Sequence, residues 1–258
     1  MDAGPAGTTI TSHHQYVTDG MSASELDPAP MVMFNRWFQD ALRAGVTEPE
    51  AMTLTTTSLP KAPAPASGSS GVNKSSWRID APRPSARTVL LKRADEQGFQ
   101  FFTNYGSRKG EELAANPWCA LTFYWPTMHR SVRVLGRAER LPRDVSKAYF
   151  DSRPVGSRIG AWASPQSQAI ASRDALQELV HKAEKRFGVT SDASDETNVP
   201  LPDHWGGFLV IPDEIEFWTG RANRLHDRFR CVLPLTLTQL CSQPAFNGTC
   251  VGRIVLDD

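Results

Sequence analysis

The sequence predicts an α+β fold that is mainly antiparallel β, a barrel with helices appended at its edge. Three observations predict it. Short strand-like runs outnumber helical ones, they do not alternate with helices as parallel βαβ units would, and no internal repeat recurs. At 258 residues the chain is long enough to bury a sizeable core.

The bulk numbers narrow the function classes. Apolar residues make up 40% and charged residues 22%, ordinary for a soluble globular protein. Lys plus Arg (28) balance Asp plus Glu (28), so the basic excess of a general nucleic-acid binder is missing. No apolar run approaches the roughly 20 residues needed to cross a bilayer. The first thirty residues lack the basic start and apolar block of a secretory signal. Neither a membrane nor nucleic acid is an expected partner. The four cysteines (Cys119, Cys231, Cys241, Cys250) form no C-x-x-C pair and read as free thiols in a reducing, cytoplasmic compartment. The histidines are scattered without H-E-x-x-H or a Cys/His cluster, so no metal is expected.

Each element follows from local pattern. Residues 1–26, rich in Gly, Ser, Thr and Ala, read as a flexible N-terminal arm. Asp27-Pro28 reads as an N-cap and first helical residue. Met33, Phe34, Trp37, Phe38, Ala41 and Leu42 then recur at helical spacing until Gly45. Met52–Thr57 alternates as a strand. From Leu59 to Pro84 prolines and a Ser-Gly-Ser-Ser-Gly run make an inserted loop, 59–84, between two strands. Thr88–Lys92 and Gly98–Thr103 are strands. Ser107–Ala115 is a short helix capped by Ser107 and stopped at Asn116-Pro117. Trp118–Trp125 and Ser131–Glu139 are strands. Arg143–Ser152 is a helix ended by Pro154, and Ser172–Phe187 another ended by Gly188. Gly207–Ile211 and Glu214–Thr219 are the last strands. The domain therefore spans 27–230, followed by a tail, 231–258.

Six segments, in order and spacing, carry a family resemblance: SARTVLLK (85–92), GFQFFTNYGSRKG (98–110), FYW (123–125), YFDSRP (149–154) with Ser157, SPQS (164–167), and EFWTGRANRLHDR (216–228). Together they resemble the pyridoxamine/pyridoxine 5′-phosphate oxidase family, and the helix at 28–44 is similar to the family's N-terminal helix. The resemblance implies a split β-barrel, a homodimer, and FMN bound where the subunits meet. It also implies a small-molecule substrate, pyridoxamine or pyridoxine 5′-phosphate, with O2 as acceptor.

The resemblance assigns FMN to Arg87, Thr88, Val89, Leu90, Phe102, Thr103, Arg108, Lys109, Ser131, Gln166, Ser167, Trp218 and Arg228. The chemistry agrees for the cations, since a phosphate dianion calls for fixed charged donors and a guanidinium fork suits two oxygens. Arg108 and Lys109 also sit at a helix start, where cations are unfavourable without an anion; the bland alternative is a solvated helix start. Trp218 reads as core or as cofactor wall. The substrate phosphate is assigned to Lys92, Tyr149, Arg153 and Ser157, two cations and two hydroxyls. Tyr149 and Arg153, spaced i,i+4, also fit a plain surface pair. Arg224, Leu225 and His226 are assigned to the substrate ring, with Arg224 holding it over the flavin and His226 orienting it or assisting proton movement. A lone His also fits a structural role. Alternation along RLHDR places Arg224, His226 and Arg228 on one face of an extended segment.

Three features depart from the family. Ser131 stands where the family has a longer Gln on FMN, the 59–84 insertion replaces a short turn, and the tail after Arg228 resembles nothing in the family. That tail reads as an alternative or misassigned terminus, and a lost last strand would weaken the dimer. The leading function is thus FMN-dependent oxidation of pyridoxamine or pyridoxine 5′-phosphate to pyridoxal 5′-phosphate. The alternatives are another split-barrel flavin oxidoreductase and a non-catalytic binder of FMN or pyridoxal phosphate.

Overall fold

The structure, a computed structural model, describes residues 15–58, 81–190, 194–195, 197–233 and the backbone of 253–254. Along the chain run α1 (Pro30–Arg43), β1 (Ala51–Ser58), β2 (Arg83–Leu90), β3 (Arg93–Asp95), β4 (Gly98–Asn104), α2 (Arg108–Ala115), β5 (Trp118–Trp125) and β6 (Arg130–Arg140). Then come α3 (Arg143–Asp151), α4 (Val155–Ala163), α5 (Arg173–Phe187), β7 (Trp205–Thr219), β8 (Asp227–Val232) and β9 (Arg253–Ile254). All pairings are antiparallel, in the order β2-β1-β5-β6-β7-β4-β3, with β8 on β7 and β9 on β8. The α+β, mainly antiparallel class is as the sequence predicts.

Alternation builds the core. Phe123, Val132, Phe217 and Phe229 pair in one row across β5, β6, β7 and β8, and all are buried. α1 covers this inner face: Phe34 meets Phe99 edge-on and Phe123 tilted, while Trp37 meets Phe217 edge-on. Arg130 locks the helix to β6, with its guanidinium on Asp40 at 3.0 Å and over the Trp37 ring. A second cluster gathers Phe150, Ile159, Ala183 and Trp205 under α3, α4 and α5.

The split in the barrel lies in β7. From Phe208 to Thr219 it pairs with β6, but on its other edge Trp205–Val210 pair with β4 and Glu214–Thr219 with β8. The changeover falls at Pro212, which cannot donate a ladder hydrogen bond and so fits where one neighbour ends and the next begins. A register shift in β6 between Leu135 and Gly136 bends the sheet at the same level.

Several boundaries differ from expectation. α1 starts at Pro30 with Ala29 as N-cap, while the Asp27 carboxylate accepts from the Ala29 N–H, so the cap works two residues earlier than the helix. Leu42 is exposed rather than on the buried face. β2 begins at Arg83 and ends at Leu90, because its register with β1 runs from Ser58↔Arg83 to Ala51↔Leu90; Lys92 lies beyond it, and 83–84 belong to the strand rather than the insertion. Residues 59–80 lie outside the described residues. β7 is one strand, not two, because β6 bridges Pro212. α4 follows Pro154 directly and was not expected, since Gly156 and Gly160 dilute its helical pattern. β8 continues the sheet past the expected boundary at residue 230. Cys119 is a free, buried thiol whose pKa burial, with Asp213 nearby, pushes up to about 12. Cys231 is disulfide-bonded, which corrects the expectation of a free thiol there. Among the described residues no helix is long and apolar enough to cross a membrane, and no group of His, Cys, Asp or Glu is placed to hold a metal.

Candidate active site

Alternation along β4 sets up two polar neighbourhoods from adjacent residues. Thr103 faces inward, toward α2. Lys109 in the first turn of α2 is buried, and its Nζ donates to Thr103 Oγ1 (3.2 Å), Ser107 Oγ (3.1 Å) and Gln166 Oε1 (2.9 Å). Thr103 donates to the same Gln166 oxygen at 3.0 Å. Burial, and then the charge of Arg87, lower the Lys109 pKa to about 8. α2 reaches this position because Gly110 lies against the Tyr105 carbonyl, where any Cβ would collide. Ser107 caps the helix, as expected.

Arg87 lies beside this network on the inward face of β2. Its Nη1 donates to Leu54 O (3.3 Å) and Thr56 Oγ1, its Nη2 to Ser85 Oγ and Glu112 Oε2 (3.2 Å). Arg108 Nε reaches Glu112 Oε1 at 2.9 Å. Thr88 and Leu90 point to the opposite, exposed face, while Val89 packs on the core. The donor set suits a phosphate: the Lys109 ammonium lies in the first turn of α2, close enough to feel the charge of Arg87, and the Arg87 and Arg108 guanidinium groups meet beside it on Glu112.

Phe102, the residue before Thr103, faces the other way. Its ring stacks on Tyr149 at 4.0 Å and on Trp205 at 5.6 Å. The Arg153 guanidinium lies over the Trp205 ring, 4.7 Å from its centroid. Arg153 Nη1 is buried without a hydrogen-bond partner among the described residues, and burial lowers this group's pKa. An unsatisfied buried guanidinium nitrogen is what an anion would complete. The structure thus joins Tyr149 and Arg153 through Trp205, a residue the sequence reading missed. No hydrogen bond, ion pair or ring contact among the described residues ties Lys92 or Ser157 to them. Lys92 is exposed in the β2–β3 turn, and Ser157 opens α4, one turn past Arg153.

A third group lies on the outer face of the sheet. Tyr124, Ser131, Trp218 and Arg228 pair in one row across β5, β6, β7 and β8. Ser131 donates to Phe123 O at 2.9 Å, and Arg228 donates to Glu216 at 2.9 Å. Beyond the row, the loop to β8 corrects the expectation of an extended RLHDR. Residues 222–224 form a helical turn in which Asn223 (φ 58°) and Arg224 (φ 64°) are both left-handed, so alternation begins only at Asp227. Two consecutive non-glycine residues in this region store strain, a recurring mark of ligand loops. Arg224 and Leu225 are exposed, Leu225 at 71%.

His226 turns back instead. Its Nδ1 accepts from the Arg221 N–H at 3.1 Å, so the neutral ring carries its proton on Nε2. Its ring lies 4.7 Å from Trp218 and 5.3 Å from Tyr16. Tyr16 also meets Trp218 and His129 edge-on. The described end of the N-terminal arm therefore lies against this loop. Met21 N and Arg221 Nε both donate to Asp227 Oδ2, at 2.7 and 2.5 Å, and Thr18 donates to Gly220 O. Nothing in the low-complexity composition of 1–26 signalled this; the one aromatic, Tyr16, was the available sign.

Comparison with known proteins identifies the family. Residues 38–186 match the family model described as pyridoxamine 5′-phosphate oxidase. Residues 205–236 match the pyridoxine 5′-phosphate oxidase C-terminal dimerisation region, so the family likeness continues past Arg228, against the expectation that it stops there. The chain is 46% identical over 213 residues to a pyridoxine/pyridoxamine 5′-phosphate oxidase of Nostoc sp., covering 83% of this chain and 86% of that one. It is 46% identical over 214 residues to one of Cupriavidus necator, covering 83% and 87%. Among solved structures, PhzG from Burkholderia lata 383, in complex with tetrahydrophenazine-1-carboxylic acid, matches with a TM-score of 0.67 at 26% identity, over 84% of this chain and 94% of that one. With two family models on consecutive stretches, relatives at this identity, and a mainly antiparallel barrel, the chain belongs to the pyridoxamine 5′-phosphate oxidase family.

Proposed function

We propose that the protein binds FMN and oxidises pyridoxamine or pyridoxine 5′-phosphate to pyridoxal 5′-phosphate, with O2 as acceptor and hydrogen peroxide as by-product. The observation that carries this reading is the pair of cation sites set back to back on β4. Thr103 faces Lys109 and Arg87; Phe102 faces Tyr149 and Arg153. A phosphorylated cofactor and a phosphorylated substrate need two such sites.

In this reading Arg87, Arg108 and Lys109 hold the FMN phosphate, with Gln166, Ser167 and the backbone of Thr88–Leu90 and Phe102–Thr103 along the flavin. Ser131, Trp218 and Arg228 border it from the β6–β8 row. FMN, when bound, supplies the hydride acceptor and passes the electrons to oxygen. The chain's own contribution is placement and charge. Arg153, with Tyr149, Lys92 and Ser157, takes the substrate phosphate, where the buried guanidinium is strengthened by low dielectric. Arg224, on its strained turn, and Leu225 cover the substrate ring. His226, fixed by the Arg221 N–H, presents Nε2–H as a hydrogen-bond donor to the substrate's ring substituents and excludes water beside Trp218.

The likeness to PhzG favours one second reading, oxidation of a ring carboxylic acid without phosphate. Purified protein should show a flavin spectrum and, with pyridoxamine 5′-phosphate in air, form peroxide and the aldehyde in equal amounts. Turnover of unphosphorylated ring acids alone would favour the second reading, and bound flavin without any turnover would leave a binder.

A further inference from the structure

The two guanidinium groups given above to the FMN phosphate share one carboxylate, to which the family resemblance assigned no role. Glu112, in α2, is 6% exposed. Its Oε2 accepts from Thr56 Oγ1 (2.5 Å), Ser85 Oγ (2.6 Å) and Arg87 Nη2 (3.2 Å), and its Oε1 from Arg108 Nε (2.9 Å). These donors come from β1, β2 and α2, so one carboxyl group ties three elements at the mouth of the phosphate junction.

A negative charge by itself repels an anion, yet two physical points run the other way here. First, three cations cannot gather unopposed: Arg87 already lowers the Lys109 pKa by its charge. A carboxylate among them relieves that repulsion. Second, all four of its contacts are with protein donors. The Arg87 fork is held on Leu54 O, Thr56, Ser85 and Glu112 before any ligand arrives, so little ordering remains to oppose binding.

We propose that Glu112 is a positioning residue that holds Arg87 and Arg108 ready for phosphate, and so gives the site its preference for the phosphorylated flavin over the unphosphorylated one. The inference rests on assigning Arg87, Arg108 and Lys109 to the FMN phosphate. Apoprotein titrated with FMN and with riboflavin, followed by quenching of flavin fluorescence, tests both. Glu112→Gln keeps the shape and removes the charge. It should weaken FMN by about tenfold, the scale of a charge-assisted hydrogen bond, and leave riboflavin within about twofold. Glu112→Ala should do more to FMN and still spare riboflavin. Unchanged or tighter FMN binding in Glu112→Gln would overturn the proposal, and so would equal loss of both flavins, which is the mark of a merely structural residue. Arg87→Ala separates the two levels. If it collapses the FMN-to-riboflavin ratio while Glu112→Gln does not, only the role of Glu112 fails. If it leaves the ratio intact, the phosphate assignment fails and the inference with it.

Discussion

Lys109 shows how burial sets up a ligand-dependent charge. Its folded pKa is lowered to about 8 from the ordinary 10.5, so folding favours the neutral amine. The apoprotein should therefore gain stability as pH rises from about 8 through 10.5, the window where the unfolded chain binds more protons. A phosphate reverses this preference by stabilising the ammonium. FMN affinity should then fall as pH climbs past about 8, and riboflavin affinity should not. Titrations across that range check it, and Lys109→Met should flatten the FMN curve. The residues proposed above for the substrate should behave differently. Arg224→Ala should cut turnover by about a hundredfold through lost alignment while leaving FMN bound, as read by the flavin absorbance of the purified protein. Arg153→Met should raise KM for the phosphorylated substrate more than it lowers kcat, since it removes binding common to ground and transition states. Most of these residues were legible because they sit in contiguous motifs. Glu112, Thr56, Ser85, Trp205 and Tyr16 were not, because their partners lie far away in the chain and only folding brings them together.

At the level of elements, patterns with a strong period were readable and those without were not. α1 carries its apolar stripe openly, and the Phe34 ring lies wholly in the core. Phe34→Ala should cost about 3–5 kcal/mol of stability, measurable by denaturant unfolding. α4 and β3 went unread because one is diluted by glycine and the other is three residues long. The turn at 222–224 was misread as extended. Alternating charges in RLHDR mimic a strand, but Asn223 and Arg224 adopt left-handed backbone that no periodicity reports. This turn is held from outside, by Asp227 accepting from Arg221 and Met21. Asp227→Asn weakens both, and should lower kcat while leaving global unfolding within about 0.5 kcal/mol.

Across the whole molecule, the outer face of the sheet is the surface that remains to be covered. Trp118, Tyr124, Leu135 and Val232 stand exposed on β5, β6 and β8, at 36–55%. Such a patch is characteristic of an interface, and β7 and β8 fall in the stretch matched to the dimerisation region. Leu135→Glu should convert the homodimer to a monomer in sedimentation and weaken FMN, since Ser131 and Trp218, proposed above to border the flavin, share that face. A dimer of wild-type stability would place the contact elsewhere. The mainly antiparallel class was readable from alternation, but the strand count and the fork were not: β3, β8 and β9 carry too little pattern, and a single sequence does not say that one long strand serves two neighbours.

That fork also sets an order of opening. β7 is the only strand described here whose two halves answer to different partners on one edge while a third, β6, spans both. Its backbone amides are thus shielded from solvent by three strands at once. In deuterium exchange they should be among the last to equilibrate. Loss of β8 would release protection at 214–219 and leave 205–210 as slow as before, so the half of the strand that carries Trp218 can loosen while the half that braces β4 stays shut.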